Sequence, residues 1–173
     1  RPTGSPAHPL VLLLPGSRKR ELATHLPVML EAARTLRSRL SIRVRIVLPN
    51  PELAQFAGRW LLRTSGLEIH VGQLAASLAE ADLAIAASGT VTLECAIFQV
   101  PTIVVYKTSW LTFQIARRIV TVPFIAMPNL LAGDLVFPEL LQTDATADKI
   151  ADAAQDLLSN PARAAALKSK LSK

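Results

Sequence analysis

Five short strand-like segments, each followed by a stretch with helical spacing, constrain this chain more than any other feature of its sequence. Leu10-Val-Leu-Leu-Leu14 stops at Pro15-Gly16, which suits a strand buried on both faces. Apolar positions at Leu22, Leu26, Met29, Leu30, Ala33 and Leu36 then recur at helical spacing and predict an amphipathic helix to about Arg39. Ile42–Leu48 reads as a second strand, closed by Pro49-Asn50-Pro51. A helix over Glu52–Leu62 and a short strand Glu68–Val71 follow, then a helix near Gln73–Glu80 and a strand Leu83–Ala86. A helix over Thr90–Phe98 and a strand Thr102–Val105 complete the series. Strands separated by helices of about ten residues mean βαβ units, right-handed crossovers and a parallel sheet. The expected fold class is α/β: a doubly wound, Rossmann-like parallel sheet of roughly five or six strands, which binds ligands at the carboxyl ends of its strands.

After Tyr106 the pattern changes. Ser109–Val120 is amphipathic, and Pro123–Pro138 is an extended, Pro-bounded stretch with no clear period. Thr146–Leu158 and Pro161–Leu171 read as two Ala-rich terminal helices separated at Asn160-Pro161. Residues 1–9 are polar and Pro-rich and read as a linker, with no apolar signal core, leaving 10–173 as one domain.

Composition removes whole classes of function. With 50% hydrophobic and 18% charged residues the chain is not disordered, and no apolar run approaches the ~20 residues of a membrane span. The single cysteine, Cys95, excludes an intramolecular disulfide and fits a reducing compartment. His8, His25 and His70 are scattered, without metal-ligand spacing. The net charge of +6 suits an anionic partner, yet the basic residues are dispersed and no nucleic-acid motif with interleaved aromatics is present. A nucleic-acid partner is not expected.

Three segments at strand ends could carry chemistry. Pro15-Gly16-Ser17-Arg18-Lys19-Arg20-Glu21 joins the first strand to its helix. Gly16 allows a tight turn, and the helix start offers backbone N–H groups with a positive dipole. Cations there oppose that dipole, and a bound phosphate reverses the sign. Without a ligand the same residues make a solvated basic turn, with Ser17 as an ordinary N-cap. The pattern is neither a Walker loop nor G-x-G-x-x-G, which disfavours a P-loop ATPase or an NAD enzyme. Ala87-Ser88-Gly89-Thr90 opens a later helix, and its hydroxyls and amides could meet a second phosphate. Glu94, one turn on, is too far along for a capping box with Thr90 but suits a ribose diol; a solvated helix face is the bland alternative. Cys95 beside it reads as a small core residue rather than a nucleophile. In Met127–Gln142, Asn129, Gly133, Glu139 and Gln142 are polar or flexible points in an apolar, Pro-framed stretch, either ligand contacts or turn formers.

Together and in this order the motifs resemble the C-terminal half of the lipid-A-disaccharide synthase family, inverting glycosyltransferases of the GT-B architecture. The resembling residues are Leu14-Pro-Gly-Ser-Arg18 with Glu21, Ala87-Ser-Gly-Thr90 with Leu93-Glu94, Tyr106, Pro128-Asn-Leu-Leu-Ala-Gly133 and Pro138-Glu-Leu-Leu-Gln142. The similarity runs from about Leu10 to Leu158 and takes in Ser109–Arg118 and Val122-Pro123.

The resemblance implies a single GT-B C-terminal domain with terminal α-helices. Its substrate would be UDP-2,3-diacylglucosamine, and its acceptor, lipid-linked, 2,3-diacylglucosamine 1-phosphate. Carried over, Gly16, Ser17 and Arg18, with Glu21, and then Ser88, Gly89 and Thr90 would hold the diphosphate, with Arg18 stabilising the leaving group. Glu94 would hold the ribose, and Asn129, Gly133, Glu139 and Gln142 would line the donor sugar or nucleotide. The resemblance implies no metal and no cofactor, because helix dipoles and cations carry the charge. It also implies a cytoplasmic enzyme, peripheral to the inner membrane of a Gram-negative-type bacterium.

The family's chain has two such domains, and the N-terminal one carries the acceptor site and the general base. Donor binding without turnover is therefore expected of this chain. Two other readings compete. One is the donor domain of a UDP-sugar epimerase or an undecaprenyl-linked transferase, although those use more Gly-rich phosphate loops. The other is a basic membrane-surface module, with Trp110, Leu111, Phe113, Ile115 and Ile119 docking on lipid beside Arg117 and Arg118.

Overall fold

The computed structural model describes residues 8–62, 64–108 and 124–171. The first apolar run is β1, Leu10–Leu14, buried at every position. It leads into α1, Lys19–Arg39, whose apolar face buries Leu22, Leu26, Met29, Leu30 and Leu36. β2, Arg43–Leu48, and α2, Pro51–Leu61, follow. The start of α2 is written in its sequence: Asn50 caps it by accepting from the Leu53 N–H at 2.9 Å, and Pro51 fixes the first helical φ. β3, Leu67–Val71, α3, Leu74–Glu80, β4, Leu83–Ala87, α4, Val91–Ile97, and β5, Thr102–Tyr106, complete the series.

With a last strand, β6, at Glu139–Leu141, the sheet order is β3-β2-β1-β4-β5-β6, and every neighbouring pair is parallel. The chain therefore reverses its direction of travel across the sheet between β1 and β4. Right-handed crossovers then put α1 and α2 on one face and α3 and α4 on the other. This is the doubly wound, Rossmann-like order. The terminal helices are α6, Ala147–Ser159, started by Thr146 accepting from the Lys149 N–H, and α7, Pro161–Leu171. α6 packs on α1, where Arg39 pairs with Asp152 at 2.6 Å.

The stretch read as extended, Pro123–Pro138, instead contains a short helix, α5, Met127–Ala132, which ends at Gly133 with φ +62. β6, Glu139–Leu141, then closes the sheet as its edge strand. The amphipathic segment Ser109–Val120, with Trp110, Phe113 and Arg117, lies outside the described residues. Among the described residues no helix is long and apolar enough to cross a membrane.

Candidate functional site

β1 and β4 are direct neighbours in register, Leu14 opposite Ala86, so the loops that leave them start at the same level. Between these loops, at the point where the strand order reverses, lies a cleft of about 570 Å³. Gly16, Ser17, Arg18 and Glu21 form one wall, and Ser88, Gly89, Thr90 and Glu94 form another. The two strongest sequence motifs thus meet in one cavity although about seventy residues separate them, because parallel pairing aligns their strand ends. A third wall consists of Val47, Pro49, Gly72, Gln73 and Leu74, from the loops after β2 and β3. Gly72 and Gln73 are both left-handed there, at φ +70 and +57. Nothing in the sequence around Gly72-Gln73 marks a site; only the topology brings this turn to the same cleft.

On the first wall Arg18 is the N-cap residue of α1 without a side-chain cap of its own. Glu21 instead reaches back past it to the residue before the helix. Its carboxylate accepts from the Ser17 N–H at 2.8 Å and lies 3.3 Å from the Arg18 guanidinium. Ser17 is therefore not the N-cap its type suggests. Gly16 makes this packing possible: at φ +118, a Cβ built on it would lie 2.5 Å from Glu21 Oε2 and 2.6 Å from Glu21 Cβ. Of the three consecutive cations only Arg18 lines the cleft, while Lys19 pairs with Glu52 at the start of α2 at 2.6 Å. The described lining thus holds one cation and two carboxylates, so an anion there would have to be met largely by backbone amides.

The third motif is placed differently. Asn129, Gly133, Glu139 and Gln142 are not among the residues described as lining the cleft. Asn129 is fully buried and spends its amide on its own loop. It accepts from the N–H groups of Val136 and Phe137 at 3.0 and 2.7 Å, and donates to the Phe137 carbonyl and to Glu139 at 2.8 Å. Glu139 also accepts from the Ile125 and Ala126 N–H groups, placing a carboxylate at the start of α5. Asn129 and Glu139, expected to line the donor, here make these hydrogen bonds within their own loop and brace it. The brace reaches the cleft through one atom, because the Ile125 carbonyl accepts from Ser88 Oγ at 3.4 Å. Gly133 ends α5 in the left-handed region, where a Cβ would meet nothing. Gln142, at the carboxyl end of β6, accepts from the Thr108 N–H at 3.3 Å, and its buried Nε2 has no hydrogen-bond partner among the described residues.

Two further groups bear on the site. His25 lies on the buried face of α1, just behind the first loop, and its Nε2 accepts from the Lys107 N–H at 3.1 Å, tying α1 to the exit of β5. Burial pushes its pKa below the ordinary value, against the opposing pull of the Pro15 and Glu21 carbonyls and the Glu21 charge. Cys95 is fully buried and its thiol is pushed up to about 12 by that burial, so it is the core residue expected. Among the described residues no group of three or more His, Cys, Asp or Glu is placed to hold a metal.

Known proteins resemble this chain in the same regions. Residues 5–173 match the family model described as lipid-A-disaccharide synthetase. The lipid-A-disaccharide synthase of Geobacter sulfurreducens is 41% identical over 162 residues, covering 92% of this chain and 42% of that protein. That of Albidiferax ferrireducens is 37% identical over 169 residues, covering 93% and 43%. The chain thus spans about two fifths of the length of the curated relatives it matches. Among solved structures, WaaG, a glycosyltransferase involved in lipopolysaccharide biosynthesis, superposes with a TM-score of 0.61 at 16% identity over 96% of this chain and 42% of that one. The UDP-GlcNAc 2-epimerase from Neisseria meningitidis bound to UDP-GlcNAc gives 0.62 at 12% identity, covering 95% and 39%. These likenesses place the fold with the GT-B proteins, and the match over residues 5–173 places this chain in the lipid-A-disaccharide synthetase family.

Proposed function

We propose that this chain is the donor-binding portion of a lipid-A-disaccharide synthase, holding UDP-2,3-diacylglucosamine for transfer to 2,3-diacylglucosamine 1-phosphate with release of UDP. One observation carries the reading: in a member of this family, the Gly16–Arg18 and Ser88–Thr90 loops face each other across a single cleft at the switch point of the sheet. The amides of Gly16 and Ser17, the Arg18 guanidinium and the Ser88–Thr90 loop stabilise the diphosphate as it leaves. Glu94, exposed on the first turn of α4, accepts from the ribose diol. The brace of Asn129 and Glu139 acts indirectly, through Ile125 and the orientation of Ser88. In this reading no metal takes part, because the charge on the leaving group is met by amides and by Arg18. The lipid-linked acceptor and the general base belong to the remainder of a longer protein, working at the cytoplasmic face of the inner membrane, so this chain alone binds without turnover.

The test is direct. UDP raises the melting temperature of the chain more than ADP does, and Arg18→Ala weakens UDP binding about ten- to a hundredfold in calorimetry. Equal shifts with both nucleotides would remove uridine from the reading. Unchanged affinity in the variant would remove Arg18 from the site.

A further inference from the structure

The first wall of the cleft already holds an anion. Glu21 Oε2 accepts from the Ser17 N–H at 2.8 Å, and Glu21 Oε1 lies 3.3 Å from Arg18 Nη1. These are two of the donors that the proposed reading gives the first loop, one backbone amide and one guanidinium N–H, and a single side-chain carboxylate engages both. The arrangement is built into the backbone. Gly16 adopts φ +118 and leaves empty the volume that the Glu21 side chain enters, 2.5 Å from where a Cβ would stand. A carboxylate and a phosphate oxygen ask for the same donors in the same geometry, so the two compete.

We propose that Glu21 is a built-in occupant of the first anion seat, and that a diphosphate binds only by displacing it from the Ser17 amide and Arg18. This rests on the reading of the cleft as a diphosphate site and adds a determinant of its affinity. Every ligand that needs the seat binds more weakly by one common factor, the ratio of seat occupied to seat open. A ligand that does not need the seat is untouched. Glu21 also serves the free protein: it satisfies the Ser17 N–H and fixes how the chain enters α1. Family resemblance would make Glu21 a ligand contact, whereas this geometry makes it the ligand's competitor.

The experiment compares the wild-type chain with Glu21→Gln, which keeps the shape and removes the charge, using UDP, inorganic pyrophosphate and uridine in calorimetry. UDP and pyrophosphate bind the variant about three- to tenfold more tightly, the size of one exposed hydrogen bond, and uridine binds unchanged. The gain persists in about 0.5 M salt, where long-range repulsion between exposed charges is largely screened but direct occupancy is not. Pyrophosphate separates the inference from the reading beneath it: if UDP fails on both proteins while pyrophosphate still tightens, the uridine assignment falls and the occupied seat stands. Equal or weaker binding of pyrophosphate to Glu21→Gln overturns the proposal, as does a gain that vanishes with salt. A thermal melt of the variant confirms that the comparison is between folded proteins.

Discussion

Replacing Gly16 by alanine tests the geometry of the first loop at its tightest point. The added Cβ would lie 2.5 Å from Glu21 Oε2 and 2.6 Å from Glu21 Cβ, with φ at +118. Three costs follow from these numbers. An L-residue at positive φ costs about 1–2 kcal/mol, and this φ lies beyond the small left-handed region, so the upper end applies. The Glu21 carboxylate can swing away, but it then gives up the hydrogen bond from the Ser17 N–H, worth about 1 kcal/mol. Glu21 Cβ cannot swing, because it is fixed to the helix, so the first turn of α1 must move. Together these come to about 3–4 kcal/mol, which for a chain of this size lowers the melting temperature by roughly 6–16 °C. Differential scanning calorimetry reads the shift, and UDP titration reads the accompanying loss of binding. Glu21→Ala in the Gly16→Ala background should recover only a minor part, since the Cβ–Cβ contact remains. Gly16→Ala melting within about 2 °C of wild type with UDP binding intact would refute the reasoning.

Other consequences follow from the same structure. Asn129→Ala strands two buried N–H groups and one carbonyl; it should cost about 2–4 kcal/mol and lower the melting temperature by roughly 5–15 °C, and a shift of under about 2 °C would show that the brace contributes nothing. Acid should destabilise the chain through His25. Burial lowers its folded pKa below 6.5, so the unfolded state takes up the proton first, and stability is full above that value and falls as pH drops through it. Melting temperatures between about pH 7.5 and 5 should therefore decline less steeply in His25→Gln, which keeps an acceptor for the Lys107 N–H but cannot titrate; parallel slopes would clear His25.

How much of this was legible in the sequence depends on what stabilises each element. β1 and β4 are buried at every position, so a plain apolar run marks them within a residue or two. α5 has only six residues and no usable period. It is held by Asn129 and Glu139, and side-chain bracing leaves no repeating signature in a sequence. β6 is three half-buried residues at the sheet edge, with a glutamate first, and resembles a loop. The same physics divides the site. Loops after β1 and β4 are identifiable as a site because topology alone brings them together, whereas the wall from Val47, Pro49 and Gly72–Leu74 carries no charged signature. The basic run overstated the positive charge: successive helical side chains point about 100° apart, which turns Lys19 towards Glu52 on α2. Asn129 illustrates a limit of another kind. A polar residue in an apolar stretch must find partners, and sequence cannot say whether these are a ligand or its own backbone.

The contact between Gly16, Ser17 and Glu21 links stability to binding. In the free chain the Glu21 carboxylate satisfies the Ser17 amide, balances part of the Arg18 charge and fills the space that Gly16 leaves. A diphosphate offers the amide and the guanidinium a stronger acceptor, but only after the carboxylate has left, so the Glu21 contact and the ligand draw on one set of donors. Two perturbations of this contact should therefore move binding in opposite directions. Filling the space at Gly16 forces the loop out of shape, costing both stability and affinity. Neutralising Glu21 leaves the loop in place, weakens its bond to the Ser17 N–H by a fraction of its worth and raises affinity for any ligand carrying phosphate. A loop whose carboxylate only supported the helix would instead lose affinity in both variants, because each would loosen the same support.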